Sequence, residues 1–181
     1  MEPLRKEELE LLAQWSNDGG PDFKMQWGGL AKLPYPLTAG DLAPEYDDLI
    51  HPGNGAVRSF RITQGDGEKL LGAVQLLRID RIAGEATVGR FLLAPDCRGR
   101  GIGGQALRLL CALAFETYGL VKLNLRVVDH NLRAVRCYRG LGFEEAGRSA
   151  GEYIASDGSA WGGIRMELTK ERFEAETSSM D

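Results

Sequence analysis

The stretch FLLAPDCRGRGIGGQALRLL, at residues 91–110, constrains the fold of this 181-residue chain more than any other. A strand-like apolar run leads into a loop with glycines at positions 99, 101, 103 and 104, and helical spacing follows. The amino end of a helix presents unpaired N–H groups and a partial positive charge, and glycines let an anion approach the backbone. Arg98 and Arg100 add positive charge at the rim. The sequence therefore predicts a phosphate-binding loop between a strand and a helix.

The glycine spacing formally matches one common nucleotide-binding pattern. Gly99-x-Gly101-x-x-Gly104 fits the dinucleotide fingerprint, and Asp129 ends the next strand-like run as a ribose-binding acid would. Three features count against this interpretation. Pro95-Asp96-Cys97 separates the strand from the glycines, three strand-like runs precede the loop, and Asp129 comes late, 25 residues after Gly104. The phosphate loop of nucleoside triphosphatases is excluded because no Gly-Lys-Ser/Thr occurs.

The residues around the loop change between strand and helix periodicity several times. In chain order the predicted elements are strands at 57–63, 69–80 and 85–94, a helix at 101–118, a strand at 121–129, a helix that Asn131 caps and Gly142 closes, and two last strands on either side of the turn 156–158. A strand after a helix after a strand can form a right-handed parallel crossover. The pattern predicts a mixed α+β fold with a mostly antiparallel sheet flanked by helices.

The two ends of the chain predict less regular structure. The apolar spacing of Pro3–Trp15 predicts a short amphipathic helix, which the turn residues 17–21 end. Residues 23–52 are rich in proline and apolar side chains and predict an ordered, irregular segment with one helical turn near Leu42–Ile50. The polar tail after Lys170 is expected to fray.

The motif Arg98-x-x-Gly101-x-Gly103 resembles the pyrophosphate-binding motif of the GNAT superfamily of acetyl-CoA-dependent N-acetyltransferases. In that family the strand before the loop carries a bulge and splays from the next strand, and the pantetheine arm of acetyl-CoA lies in the gap. The resemblance implies that the backbone of Phe91, Leu92 and Leu93 binds pantetheine. It also implies that the pyrophosphate is held by the amides of one continuous run: Arg98, Gly99, Arg100, Gly101, Ile102, Gly103 and Gly104.

A second motif stands downstream, in VVDHNLRAVRCYRGLGFEEAG. Asn131, Ala134, Tyr138 and Gly142-Phe143 match the family's N-x-x-A-x-x-x-Y-x-x-x-G-F signature. Seven residues apart on a helix, Asn131 and Tyr138 share a face. By resemblance Asn131 contacts the cofactor and Tyr138 protonates the departing thiolate, for which a neutral phenol is a suitable donor. The structural alternatives are an N-cap for Asn131 and a packed core aromatic for Tyr138.

A base must also take the proton of the attacking amine. Glu85, at the start of the third strand, is the candidate, and Asp80 is a second one; a solvated strand-end carboxylate is the structural alternative. His130 lies beside Asn131 and is more often an exposed loop residue. Cys137 has no base partner visible in the sequence, so no acyl-cysteine intermediate is predicted.

Composition excludes several classes of protein. The net charge of −4 and pI near 5.3 argue against a nucleic-acid-coating protein and favour a cationic substrate. Three cysteines with no C-x-x-C pair predict a reducing compartment and no metal site. With no signal peptide and no membrane-spanning run, the chain is expected to be cytoplasmic, away from membranes, as a monomer or homodimer. At this length we expect a single domain, with an acceptor-side region at 1–56, a cofactor-binding core at 57–169 and a tail at 170–181.

The resemblance, over residues 57–168, implies an N-acetyltransferase that moves acetyl from acetyl-CoA to a primary amine by direct attack in a ternary complex. The acceptor, a small molecule or a peptide, stays open among ribosomal-protein N-termini, polyamines, aminoglycosides and amino acids. Acyl chains longer than acetyl stay open as well. Two alternatives remain: a non-catalytic acyl-CoA-binding module and a dinucleotide-binding protein.

Overall fold

The computed structural model describes residues 1–178 except residues 31, 50, 52, 54, 66 and 68. Its helices and strands in chain order are β1 (Glu2–Pro3), α1 (Leu9–Asn17), α2 (Gly20–Gly28), α3 (Ala39–Leu42), β2 (Val57–Thr63), β3 (Leu70–Asp80), β4 (Glu85–Leu93), α4 (Ile102–Ala112), β5 (Lys122–Val128), α5 (Leu132–Arg139), β6 (Glu144–Ile154), β7 (Ala160–Thr169) and α6 (Lys170–Ser178). Short 3-10 turns lie at Lys6–Glu8, Ala43–Leu49 and Pro95–Cys97, and a π-helical turn follows α4 at Leu113–Thr117.

The chain divides into two compact units, and the first consists of Met1–Leu77 and Gly89–Arg100. In it β1 pairs with β2 and β2 with β3, both antiparallel, and β3 neighbours β4. The helices of this unit bury apolar side chains together with strand residues. One cluster joins Leu12 and Leu42 of the helices to Ala73 and Leu92 of the strands, and the burial of this apolar surface stabilises the unit.

The N-terminal helices differ from the sequence prediction. Helix α1 begins at Leu9 rather than at Pro3 and ends at Asn17, within the turn residues predicted to end it; a second helix that the sequence did not predict, α2, follows at Gly20–Gly28. Proline at the second position of a helix needs no hydrogen bond for its missing N–H, so Pro21 starts this helix instead of breaking it. The helical turn predicted near Leu42–Ile50 is present as α3 and the 3-10 turn, with residue 50 outside the described residues. Two residues of the predicted turn 64–68, at 66 and 68, also lie outside them.

The second unit consists of Arg78–Val88 and Gly101–Asp181. The start of β4 pairs in parallel with β5, from Glu85 with Lys122 to Val88 with Leu125. This confirms the predicted crossover, which α4 connects. Strand β5 pairs antiparallel with β7, and β7 with β6. Among the described residues, the strand pairings of known register are antiparallel except for that of β4 with β5, and helices accompany the strands, so the predicted mixed α+β fold is confirmed.

The tail that the sequence predicts to fray is helical over Lys170–Ser178. Its one buried apolar residue is Phe173, whose ring centroid lies 5.5 Å from that of Phe115. This aromatic contact holds α6, because a polar helix of nine residues is too short to be stable alone. Residues 179–181 lie outside the described residues.

Three further observations concern the predictions from composition. No helix in the part of the chain that the structure describes has the length and apolar run that a bilayer crossing needs. All three cysteines are free thiols; Cys97 and Cys111 are buried and Cys137 is half-buried. Among the same residues, no group of three or more His, Cys, Asp or Glu side chains is arranged to hold a metal ion.

Candidate functional site

The glycine-rich loop has the backbone of an anion site. Gly99 and Gly101 adopt φ of 78° and 80°, values that favour glycine. Gly101 is the N-cap of α4, has no side chain to cap the helix, and its carbonyl accepts from Gln105 N–H at 3.3 Å. The N–H groups of the first helical residues therefore have no partner within the helix. A Cβ added at Gly101 would meet no atom within 4 Å, so the residue at the start of the helix has open space beside it.

The two arginines of the loop have different surroundings. The Arg98 side chain points into the first unit: Nε donates to Leu93 O at 3.0 Å and Nη2 to Trp15 O at 3.4 Å. Its guanidinium also stacks on the Phe23 ring, 4.3 Å from the centroid, and burial lowers its pKa. Arg98 is thus a structural link, which corrects the prediction that its side chain adds charge at the rim. Arg100 is exposed and keeps its charge there, with Nη1 donating to Asp96 O at 3.4 Å.

The strand that precedes the loop is irregular at its end. Arg90, before Phe91, has φ of 45°, which is rare for a residue with a side chain. The parallel register with β5 covers β4 up to Val88, and β4 continues to Leu93. Leu92 is buried, whereas Phe91 and Leu93 are half-buried.

Gly72 of β3 lies against the backbone predicted to bind pantetheine, and the sequence analysis missed it. A Cβ at this position would lie 2.5 Å from Leu92 O and 2.8 Å from Leu93 Cδ2. Only a residue without a side chain allows β3 to approach the Leu92–Leu93 backbone so closely. An isolated glycine inside a strand pattern is the sequence signal that indicates such an approach.

We expect Gly72→Ala to weaken binding of acetyl-CoA, the ligand that the resemblance implies, by ~10-fold or more, because the Leu92–Leu93 backbone has to shift. Overpacking also costs about 1–3 kcal/mol of stability. Calorimetric titration of the folded variant measures the affinity. The matched control is Gly147→Ala in β6, where the new methyl group would lie 3.5 Å from Arg165 Nη2, an ordinary contact. Unchanged affinity in Gly72→Ala would show that the Leu92–Leu93 backbone does not touch the ligand.

Helix α5 carries the second motif. Asn131 is its N-cap, with Oδ1 accepting from Ala134 N–H at 3.2 Å. Asn131 is therefore an N-cap, the structural alternative given above. The cap fixes its side chain at the start of the helix through Oδ1, and the amide nitrogen Nδ2 takes no part in it. Residues Asn131 and Tyr138 lie two turns apart on α5, as predicted.

Tyr138 is half-buried and packs edge-on against Phe143, with ring centroids 5.8 Å apart. Burial raises the pKa of its phenol above the ordinary value, and the nearby Cys137 adds to the shift. The hydroxyl makes no hydrogen bond to any residue that the structure describes. The Tyr138 phenol is therefore a neutral hydrogen-bond donor whose O–H is not engaged by a described residue of the protein.

Cys137 lies on α5 against the start of α4. A Cβ on Gly104 would be 3.9 Å from its Sγ, so the glycine allows the two helices to pack closely. Burial raises the pKa of the Cys137 thiol. A protonated thiol is a poor nucleophile, which agrees with the prediction of no acyl-cysteine intermediate.

Glu85 has the contacts of a structural ion pair. Lys122 Nζ lies 2.8 Å from its carboxylate and Asn124 Nδ2 donates to it at 3.2 Å. The hydrogen bond from Lys122 holds the pKa of Glu85 below its usual value, whereas a base for neutral pH benefits from a raised one. These observations argue against Glu85 as the base.

Asp80, the second candidate for the base, and His130 also have structural partners. The Asp80 carboxylate accepts from the N–H groups of Ile82 and Ala83, both at 2.9 Å, and so caps the turn after β3. The His130 ring stacks on Trp161 with centroids 5.3 Å apart, and its Nδ1 lies 3.1 Å from Asp129 Oδ1.

Within the first unit, the structure brings Arg98 and Leu93 together, so that the loop and the end of β4 form one connected region. Within the second unit, it brings the start of α4 against α5, which carries Asn131 and Tyr138. Each region thus contains one of the two sequence motifs.

Comparison with known proteins gives consistent matches. The model of the acetyltransferase (GNAT) family matches residues 30–143. The spermidine N(1)-acetyltransferase of Escherichia coli (strain K12) is 29% identical over 176 residues, which cover 97% of this chain and 88% of that protein. The aminoglycoside N(6')-acetyltransferase type 1 of Klebsiella pneumoniae is 31% identical over 87 residues, 48% of this chain and 40% of that one. The crystal structure of spermidine N-acetyltransferase from Vibrio cholerae with CoA and spermine superposes with a TM-score of 0.78 at 22% identity, covering 96% of each chain, and shows the same fold.

Proposed function

The chain belongs to the acetyltransferase (GNAT) family, and on this premise we propose that it transfers the acetyl group of acetyl-CoA to a primary amine of a polyamine such as spermidine. The observation that carries the choice of acceptor is the match to a spermidine acetyltransferase over 97% of the chain. The aminoglycoside acetyltransferase match covers 48%. A net charge of −4 also favours a polycationic acceptor.

We place the cofactor along residues of both motifs. The N–H groups from Arg98 to Gly104, including those of Gly99, Arg100, Ile102 and Gly103, bind the pyrophosphate, because an anion is stabilised by unpaired donors at a helix start. The backbone of Phe91, Leu92 and Leu93 binds the pantetheine arm. Asn131 contacts the cofactor through the amide nitrogen that its cap leaves free. Support comes from the open space at Gly101 and the close approach at Gly72.

The reaction proceeds by direct attack. The lone pair of the neutral amine forms a bond to the thioester carbonyl carbon, and the C–S bond then breaks to release CoA as a thiolate. Tyr138 donates its phenolic proton to this sulfur and recovers a proton from solvent. The N–H group of Leu92 or Leu93 stabilises the oxyanion. The attacking nitrogen releases its proton to water or a base.

We expect Glu85→Gln to leave kcat within about threefold of the wild type, because the ion pair with Lys122 favours a structural role for this carboxylate over that of the base. The decrease of kcat toward acidic pH, the acid limb of its pH profile, is expected to be the same as in the wild type. Steady-state assays from pH 6 to pH 9 measure both quantities. Lys122→Met removes the same ion pair from the other side and is the matched control. Loss of the acid limb in Glu85→Gln alone would restore Glu85 as the base.

A panel of amines tests the acceptor. Release of the CoA thiol is followed with spermidine, kanamycin, lysine and a ribosomal-protein N-terminal peptide at equal concentrations. We expect kcat/KM for spermidine to exceed that for the other amines by about tenfold or more, because one or two additional ionic contacts stabilise binding by about the corresponding free energy. Transfer to kanamycin or the peptide with none to spermidine would overturn the acceptor while leaving the acetyltransferase assignment intact.

Two further parts of the proposal concern organisation. We propose that residues 1–181 act as one catalytic domain, in the cytoplasm, as a monomer or homodimer. The free cysteines support a reducing compartment. Sedimentation at micromolar concentration measures the oligomeric state.

A further inference from the structure

Arg90 is held in a rare backbone conformation inside β4. Its φ of 45° lies in the left-handed region, where a residue with a side chain is unfavourable. It directly precedes Phe91, the first of the residues whose backbone is proposed to meet the cofactor. Such a conformation persists only where surrounding contacts determine it. The contacts of the Arg90 side chain therefore indicate what fixes the end of this strand.

The guanidinium of Arg90 is held from two sides within the first unit. Nη1 donates to Gln75 Oε1 at 2.8 Å, and Nη2 forms an ion pair with the carboxylate of Glu45. The side chain is mostly buried, at 14% exposed, and burial lowers its pKa. Its Nε is buried and has no partner among the described residues. A position with one unsatisfied donor and an unfavourable φ is poorly explained by stability alone.

The partners of Arg90 are themselves fixed by a buried network. Gln75 is fully buried, and its Nε2 donates to Ser59 Oγ at 2.7 Å and to Glu45 O at 3.2 Å. Ser59 in turn donates to the two oxygens of Asp48, from N–H and from Oγ, each at 2.6 Å. The network thus ties β2, β3 and the 3-10 turn Ala43–Leu49 to one residue of β4. A buried network with this many hydrogen bonds favours one well-defined arrangement of the groups that it joins.

We propose that Arg90 is a positioning residue that fixes the irregular backbone of β4 at its own position and so directs the backbone of Phe91–Leu93 toward acetyl-CoA. The inference rests on the proposed function. Gln75 and Glu45 act through Arg90, since they bind its guanidinium from the neighbouring strand and the 3-10 turn. Without these contacts the residue returns to an ordinary strand φ, and the amides of Leu92 and Leu93 turn away from the thioester carbonyl. A small displacement of this kind lowers turnover strongly.

The test compares Arg90→Met, which keeps apolar packing and loses both contacts, with the wild type. We expect kcat to fall about 100-fold at saturating substrates, at a temperature where both proteins are fully folded. Glu45→Gln, which keeps the shape and removes the charge, is expected to lower kcat about tenfold. The ratio of kcat between each variant and the wild type distinguishes a positioning role from a structural one. A residue with only a structural role lowers the melting temperature when it is replaced and leaves kcat of the folded protein unchanged.

Comparison of Arg78→Gly with Arg90→Gly tests whether backbone strain by itself affects activity. Arg78 in β3 has a similar φ of 50°, but is exposed and has no side-chain bond to a described residue. We expect Arg78→Gly to keep full activity, and Arg90→Gly to lose activity although glycine relieves its strain. Wild-type kcat in both Arg90→Met and Glu45→Gln would overturn the inference. Absence of acetyl transfer to any amine by the wild type would instead overturn the proposed function.

Discussion

Replacing Gly101 with valine is expected to weaken acetyl-CoA binding at least about 100-fold, equivalent to about 2.7 kcal/mol. The two methyl groups enter the space in which a Cβ now meets no atom within 4 Å. A phosphate oxygen has to reach about 2.9 Å from the N–H nitrogens at the start of α4 to bind them, and the valine side chain blocks this approach. Calorimetric titration of the purified variant with acetyl-CoA measures the loss.

The fold survives this substitution at a modest cost. The φ of 80° at Gly101 is unfavourable for valine, by about 1–2 kcal/mol, which lowers the melting temperature by about 2–8 °C. Gly151→Val is the matched control, because Gly151 has φ of 63°, also with nothing within 4 Å of an added Cβ. It has the same strain and is expected to bind acetyl-CoA normally. Equal affinity in the two variants would mean that the loop does not bind the pyrophosphate.

Tyr138→Phe is expected to lower kcat about 100-fold or more and to leave the affinity for acetyl-CoA unchanged. The variant removes only the hydroxyl, and the edge-on contact of the ring with Phe143 remains. Because burial raises the pKa of Tyr138, the wild-type phenol stays protonated at every pH up to its ordinary value of about 10. Tyr138 therefore contributes no loss of activity between pH 6 and pH 9.

Tyr118→Phe serves as the control for loss of a hydroxyl. Tyr118 follows the π-helical turn, and its ring contacts Arg81, 5.8 Å from the centroid, a contact that phenylalanine keeps. This variant is expected to have wild-type kcat. If Tyr138→Phe also stays within twofold of the wild type in single-turnover measurements, the proton donor is another group.

The sequence predicted the elements around the loop well because their signals are local. Strand β2 matches its predicted bounds, 57–63, and Asn131 caps α5 where the polar residue before a helical pattern predicts it. Helix α2 was missed because glycines followed by proline, as at Gly19, Gly20 and Pro21, are typical both of a turn and of the start of a helix. Helix α6 was missed because its docking depends on partners far away in sequence, such as Phe115 for Phe173 and Arg108 for Thr177.

The candidate site shows the same limit. The motifs identified the loop and Tyr138, since the residue types and spacing carry the chemistry. The directions of side chains came only from the structure: Arg98 binds Leu93 and Trp15, and Glu85 pairs with Lys122. The roles proposed for Gly72 and Arg90 depend on contacts with residues distant in sequence, which periodicity does not report.

Direct attack in a ternary complex is tested most directly by adding the substrates one at a time. Enzyme at a concentration equal to acetyl-CoA is held first without acceptor, and spermidine is then added while the free CoA thiol and the intact protein mass are followed. We predict no thiol release and no acetylated protein before spermidine, and afterwards one thiol for each acetylated polyamine. Thiol release before spermidine, with an acetyl group on the protein at Cys137 or elsewhere, would contradict the account.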